Sequence, residues 1–168
     1  ETLFITENPN YGGNLYVFRV NPEPLTSGYS NLVMNPSFEL EWDSSIASPA
    51  WWEQRGDKRW MGELDKSIKS SGNYSYRIET SVTEKAWEGF LRSELIEVEE
   101  GKTYLMSVKV KTENSKGTHF HIYTYEDGDI GLTIGYTPMP EGTQDWKEYS
   151  QHIEIPKGVT VIRIFLRA

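Results

Sequence analysis

The chain has no cysteine. That excludes disulfides, zinc–thiolate sites and a thiol nucleophile. It has no run near the roughly 18 apolar residues of a spanning helix, and no basic segment leading into an apolar one of the signal-peptide kind. Helical periodicity is also missing, because apolar residues never hold the i, i+3, i+4, i+7 pattern beyond about ten residues. There is no Gly-x-Ser-x-Gly, no Walker loop and no His-Glu-x-x-His. Basic residues are the minority, 17 Lys and Arg against 25 Asp and Glu, for a net charge of −8. An acidic surface repels phosphate backbones, so no nucleic-acid partner is expected.

What the chain does have is aromatic rings. Its 168 residues include 6 Trp, 10 Tyr and 6 Phe, against a mean hydropathy of −0.59. This length suits one domain, with or without an appendage, and can bury a core without covalent staples. Rings supply much of the apolar mass, and any left on the surface would be a binding feature.

Short alternating segments recur between Gly, Pro, Asn and Asp. Expected strands are Thr2–Thr6, Asn14–Val20, Ser37–Leu40, Tyr74–Thr80, Gly89–Val98, Thr103–Thr112, Thr118–Tyr125, Gly131–Tyr136, Trp146–Ile155 and Val159–Arg167. Strands at this spacing predict an all-β fold, a sandwich or barrel. Tyr104, Met106, Val108 and Val110 share one face of their strand, and Ser107, Lys109 and Lys111 the other. The Asn21-Pro-Glu-Pro24 segment reads as a linker. It sets a boundary near Ser30, with residues 1–30 as N-terminal strands and linker and residues 31–168 as the main domain. The first strands would form a hairpin docked on that domain or the end of a preceding one. A first residue other than Met suits a processed or excised chain.

The segment Thr118–Tyr125 singles itself out. Phe120 and Ile122 alternate inward, which places His119, His121, Tyr123 and Tyr125 on the opposite face. Two imidazoles and two phenols suit a shallow ligand-binding sheet better than a core. A solvated face is the plainer alternative. A His-x-His metal pair ranks last, because no third ligand is evident. Arg55, Arg77, Arg92 and Arg163 fall on or near outward faces, where planar guanidinium groups can fork onto hydroxyls or carboxylates. Asp127-Gly-Asp129 lacks the distal Glu of a calcium loop and reads as a hairpin turn.

Five motifs then follow in order: Asn31-Leu-Val-Met-Asn35-Pro-Ser-Phe-Glu39, Pro49-Ala-Trp51, Ser71-Gly-Asn-Tyr-Ser75, Gly101-Lys-Thr-Tyr104 ahead of Ser107-Val-Lys-Val, and Trp146-Lys-Glu-Tyr ahead of Ile155-Pro-Lys-Gly-Val159. Their order and spacing over residues 31–168 resemble the carbohydrate-binding modules of the family 4/9/16/22 group. The resemblance implies a two-sheet antiparallel β-sandwich of jelly-roll type, here with an N-terminal strand pair or extension. It also implies polysaccharide or oligosaccharide binding beside a glycan-active enzyme, and a structural calcium. Glu39 would give its carboxylate to that ion, with Asn35 and the turn from Ser70 to Asn73 adding oxygens. The plainer reading is that Asn35 and Glu39 satisfy backbone groups. By the same resemblance Trp51 and Trp146 pack inward. Trp52 would then point the opposite way on an extended chain. Trp60, in a strongly polar stretch, and Trp87, between Lys85 and Glu88, join it as candidate ligand-facing rings.

Taken together, these readings make the chain a non-catalytic binder of polysaccharide or oligosaccharide. Its candidate contacts are Trp52, Trp60, Trp87, Arg92, His121, Tyr123 and Tyr125. Its expected setting is extracellular or cell-surface, linked to a catalytic or membrane domain. Two alternatives stay open. One is an accessory or structural domain of a larger surface glycan-processing protein. The other is a small polysaccharide-active hydrolase or lyase, the lyase form using Tyr123 with His121.

Overall fold

A computed structural model describes residues 4–7, 12–18, 31–40, 49–55, 60–81, 90–116, 118–126 and 128–167. Side chains are described for 31–40, 49–55, 62–79, 90–116, 118–126 and 128–167. In chain order the strands are β1 (Phe4–Glu7), β2 (Gly12–Phe18), β3 (Trp52–Arg55), β4 (Trp60–Asp65), β5 (Ser75–Ser81), β6 (Phe90–Ser93), β7 (Ile96–Glu97), β8 (Thr103–Ser115), β9 (His119–Glu126), β10 (Asp129–Pro138), β11 (Gly142–Glu154) and β12 (Val161–Arg167). All strand pairings are antiparallel.

The strands make two sheets. Sheet I runs β11-β8-β2-β5-β4, with β1 pairing β2. Sheet II runs β10-β9-β12-β6-β3, with β7 pairing β12. One alternating face of each sheet is apolar, and these faces close on a shared core. Sheet I contributes Tyr76, Ile78, Val108, Val110 and Ile153, and sheet II contributes Leu91, Ile122, Ile164 and Leu166. Each fully buried aliphatic side chain is worth about 1.5–3 kcal/mol relative to exposure. The first hairpin is part of sheet I: β2 pairs β8 from Asn14 to Phe18 and touches β5 at Gly12 and Gly13.

The expected strand at Ser37–Leu40 is a turn. Asn35 and Phe38 have φ of 45° and 56°, in the left-handed region an extended strand cannot contain. Phe38 is fully buried there, edge-on to Trp52 at 5.1 Å between ring centroids. The expected strand Gly89–Val98 is two, β6 and β7, broken after Ser93.

Trp52 corrects the sequence reading. It is 6% exposed and lies in the core instead of facing outward. The cause is Trp51, whose φ of 62° interrupts the extended chain. The strand therefore starts one residue late, and Trp52 takes the inward position expected of Trp51. The Trp52 indole N–H reaches the carbonyls of Met34 and Asn35 at 3.2 and 3.3 Å. Trp146 is half-buried and packs against the core.

Candidate functional site

The outward face of sheet II gathers the unusual side chains. Pairing register builds it row by row, since residues opposite one another share a face. Tyr136 on β10 faces His121 on β9, which faces Phe165 on β12. Phe165 faces Arg92 on β6, which faces Glu53 on β3. This single row crosses five of the six strands of the sheet, all but β7. The neighbouring row is Pro138, His119, Arg167, Phe90 and Arg55. Tyr123 and Arg163 face each other in a third.

The rings touch along these rows. Tyr136 lies 4.8 Å from His121 and 5.6 Å from His119, centroid to centroid. His121 meets Tyr123 at 5.0 Å, and the Tyr123 hydroxyl shares a hydrogen bond with His121 Nδ1. Tyr123 meets Phe165 at 5.1 Å, and Phe165 meets Phe90 at 5.1 Å. The result is an aromatic path from β10 to β6. Tyr136 tops it at 52% exposure, while Phe165 is its floor at 0%. Phe165 is buried outside the core, and guanidinium groups roof it. Arg167 and Arg92 stand 5.6 and 6.0 Å from its centroid. Arg167 also overlies Tyr123 and Phe90, each at 5.7 Å, and Arg163 overlies Tyr125 at 4.9 Å.

Electrostatics sharpen the picture. Burial lowers the His121 pKa from 6.5 to about 4, with help from His119 and Arg167, so the imidazole is neutral near pH 7. Its Nε2 is buried without a hydrogen-bond partner among the described residues. Burial pushes the Glu53 carboxyl up, but hydrogen bonds and charge from Arg55 and Arg92 outweigh it and hold the group below its usual value.

Of the expected contacts, Arg92, His121, Tyr123 and Tyr125 come together here. Trp52 does not. The Trp60 side chain and all of Trp87 lie outside the described residues. Arg77 belongs to the other sheet, bonded to Glu79 at 2.6 Å. The sequence reading missed Phe165, Phe90, Arg167, Tyr136 and Glu53. Arg163, Phe165 and Arg167 alternate on one strand, and that mixed face was the available signal.

The expected calcium donors do not form a cage. Glu39 accepts N–H groups from the Asn73 backbone, the Asn73 side chain and the Tyr74 backbone at 3.0–3.2 Å. Asn73 thus turns its amide nitrogen, not its oxygen, to the carboxylate. The Asn35 side chain is spent on Leu40 and on the Ala50 carbonyl. Ser70 is half-buried in the same turn. Calcium requires six to eight converging oxygens, whereas this set supplies one carboxylate facing N–H donors. Gly72, with φ of 66°, passes so close to Glu39 that a Cβ there would collide with the carboxylate. No cluster of three or more His, Asp or Glu among the described residues is placed to hold a metal.

A family model described as a carbohydrate binding domain matches residues 30–168. No curated protein matches the chain. Among solved structures, a xylan-binding domain from CBM 22 superposes with a TM-score of 0.52 at 19% identity, covering 85% of this chain and 86% of that one. A CBM4 structure gives 0.51 at 17% identity, covering 68% and 74%. The enzymatically active domain of tailspike protein 4 from bacteriophage CBA120 gives 0.53 at 14% identity. That match covers 72% of this chain, which spans only 17% of the tailspike chain. These likenesses show the jelly-roll sandwich.

Proposed function

The chain belongs to the carbohydrate binding domain family, and on that premise we propose that it binds glycan on the outward face of sheet II. The observation that carries this reading is the row from Tyr136 through His121, Phe165 and Arg92 to Glu53, flanked by Tyr123 and Tyr125. Sugar rings present C–H faces that lie on aromatic surface, and their hydroxyls accept from guanidinium groups and pair with phenols. A flat apolar surface with a few placed polar groups is what such a ligand needs. Affinity per site is modest, because desolvating hydroxyls offsets much of the contact gain. In its parent protein the domain holds an attached glycan-active enzyme on its substrate at the cell surface or outside it, raising local concentration.

Affinity electrophoresis against soluble xylans, glucans and mannans tests the reading. Xylan heads the panel because one solved neighbour is described as xylan-binding. Retardation by at least one polymer is expected. A second reading rests on the Tyr123–His121 hydrogen bond, an acid–base pair on the same face. Release of new reducing ends by the purified chain alone would favour it.

A further inference from the structure

Among the described residues, the arginines on this face are under-paired. In a chain of net charge −8, the outward side of sheet II carries Arg55, Arg92, Arg163 and Arg167. Among the described residues, two carboxylates stand within ion-pair distance of these four. Glu53 serves both Arg55 and Arg92. Glu94 reaches Arg163 only at 3.9 Å. The contacts Arg167 makes are to ring faces, those of Phe90, Tyr123 and Phe165. The Nε atoms of Arg163 and Arg167 are buried with no hydrogen-bond acceptor among the described residues. The Arg163 side chain is only 11% exposed.

An arginine cannot shed its charge to escape this position. Unsatisfied buried donors are costly, and an acceptor from outside would meet the Nη groups of the same guanidiniums, which are not among the buried unpaired atoms. Stacking on a ring occupies the face of a guanidinium and leaves its in-plane N–H groups free. Those groups match a planar carboxylate bidentately, whereas a hydroxyl offers one oxygen and no charge. Arg163 and Arg167 also flank Phe165 on one strand, with Arg167 stacked on Phe165 and Arg163 on Tyr125, so the two forks share one ring-bearing face. The neutral His121 beside them adds no competing cation.

We infer that the preferred ligand is an acidic glycan whose uronate carboxylates are taken by Arg163 and Arg167. This rests on the reading that the sheet II face binds glycan, and it goes further by naming the sugar class. Tyr136, Tyr123 and Tyr125 hold the sugar faces, and the arginines select for charge.

The test pairs polygalacturonate and alginate with their carboxyl-reduced counterparts, alongside the neutral panel. The acidic polymers should retard the chain, and carboxyl reduction should weaken binding about tenfold or more, as for loss of one charge-assisted contact. Arg163→Gln and Arg167→Gln should each weaken acidic binding by a similar factor. Arg167→Lys should recover only part, since it keeps the charge without the fork. Lys157→Gln, on the exposed turn between β11 and β12, should change nothing. Equal retardation by native and reduced polymers would overturn the acidic-glycan inference and leave glycan binding standing. So would a Lys157→Gln loss as large as that of Arg167→Gln, which would mean nonspecific charge attraction. No retardation by any polymer, acidic or neutral, would overturn glycan binding itself. The native-against-reduced comparison uses the unaltered chain, so it decides the question even if an arginine variant fails to fold.

Discussion

Glu53 grips Arg92 through one oxygen, with Oε2 accepting from Nε at 2.7 Å and from an Nη group of the same guanidinium. Its other oxygen takes Arg55. Glu53 thereby anchors the β3 end of the ring-and-arginine row. The Arg92 side chain is 13% exposed and Glu53 is more open, so the pair lies between a surface ion pair and a buried one. Glu53→Gln should cost about 1 kcal/mol of stability. Denaturant melts at neutral pH check this. The cost should fade as pH falls below the ordinary carboxylate value of 4.5, because the depressed pKa contributes stability only while the folded carboxylate stays ionised.

Floor and rim should separate by mutation. Phe165→Ala removes a fully buried ring and should destabilise the fold by about 3–5 kcal/mol. Tyr136→Ala removes an exposed ring and should leave stability within about 0.5 kcal/mol, while weakening glycan retardation about tenfold. Thermal melts run beside affinity electrophoresis distinguish the two. A Tyr136→Ala protein that melts early but binds normally would contradict the assignment.

His121 should make stability pH-dependent. Its folded pKa is depressed to about 4 from 6.5. The unfolded chain therefore takes up a proton as pH falls through 6.5, and the folded chain does not until about 4. The stabilising contribution is complete above 6.5 and is lost across that window. His121→Gln should flatten the melting temperature against pH, most visibly in the upper half of the window, where carboxylates do not yet titrate. A curve parallel to that of the unaltered protein would rule this out.

Glu39 should act as a backbone clasp. Glu39→Ala frees the N–H groups of Asn73 and Tyr74 and should cost about 1–2 kcal/mol. A chelator should leave the melt of the unaltered protein unchanged. A chelator-dependent drop would show instead that the carboxylate trades those N–H donors for calcium.

Much of the sandwich was legible because alternation is local. The span Thr103–Thr112 shows its two faces in one strand, and the observed strand runs on to Ser115. His121, Tyr123 and Tyr125 were legible for the same reason. β3 was not, because a left-handed Trp51 reverses the parity of every residue after it, and side-chain types do not announce a positive φ. Phe165 was hidden differently. A lone Phe between two Arg residues reads as neither core nor surface. Only cross-strand register, which joins positions far apart in the chain, sets it beneath Arg92 and Arg167 and beside Tyr123.

The roofed position of Phe165 divides the freedom of the face. A ring with no exposure touches no ligand, so exchanging it alters specificity only by disturbing the fold. The exposed Tyr136 can be varied at little cost in folding, and the guanidinium groups can be exchanged where the new side chain still covers the ring. Selection or engineering toward another sugar would therefore rewrite the rim and keep the floor. Related chains that recognise different glycans should differ first at Tyr136, Arg163 and Arg167, over an apolar position corresponding to Phe165.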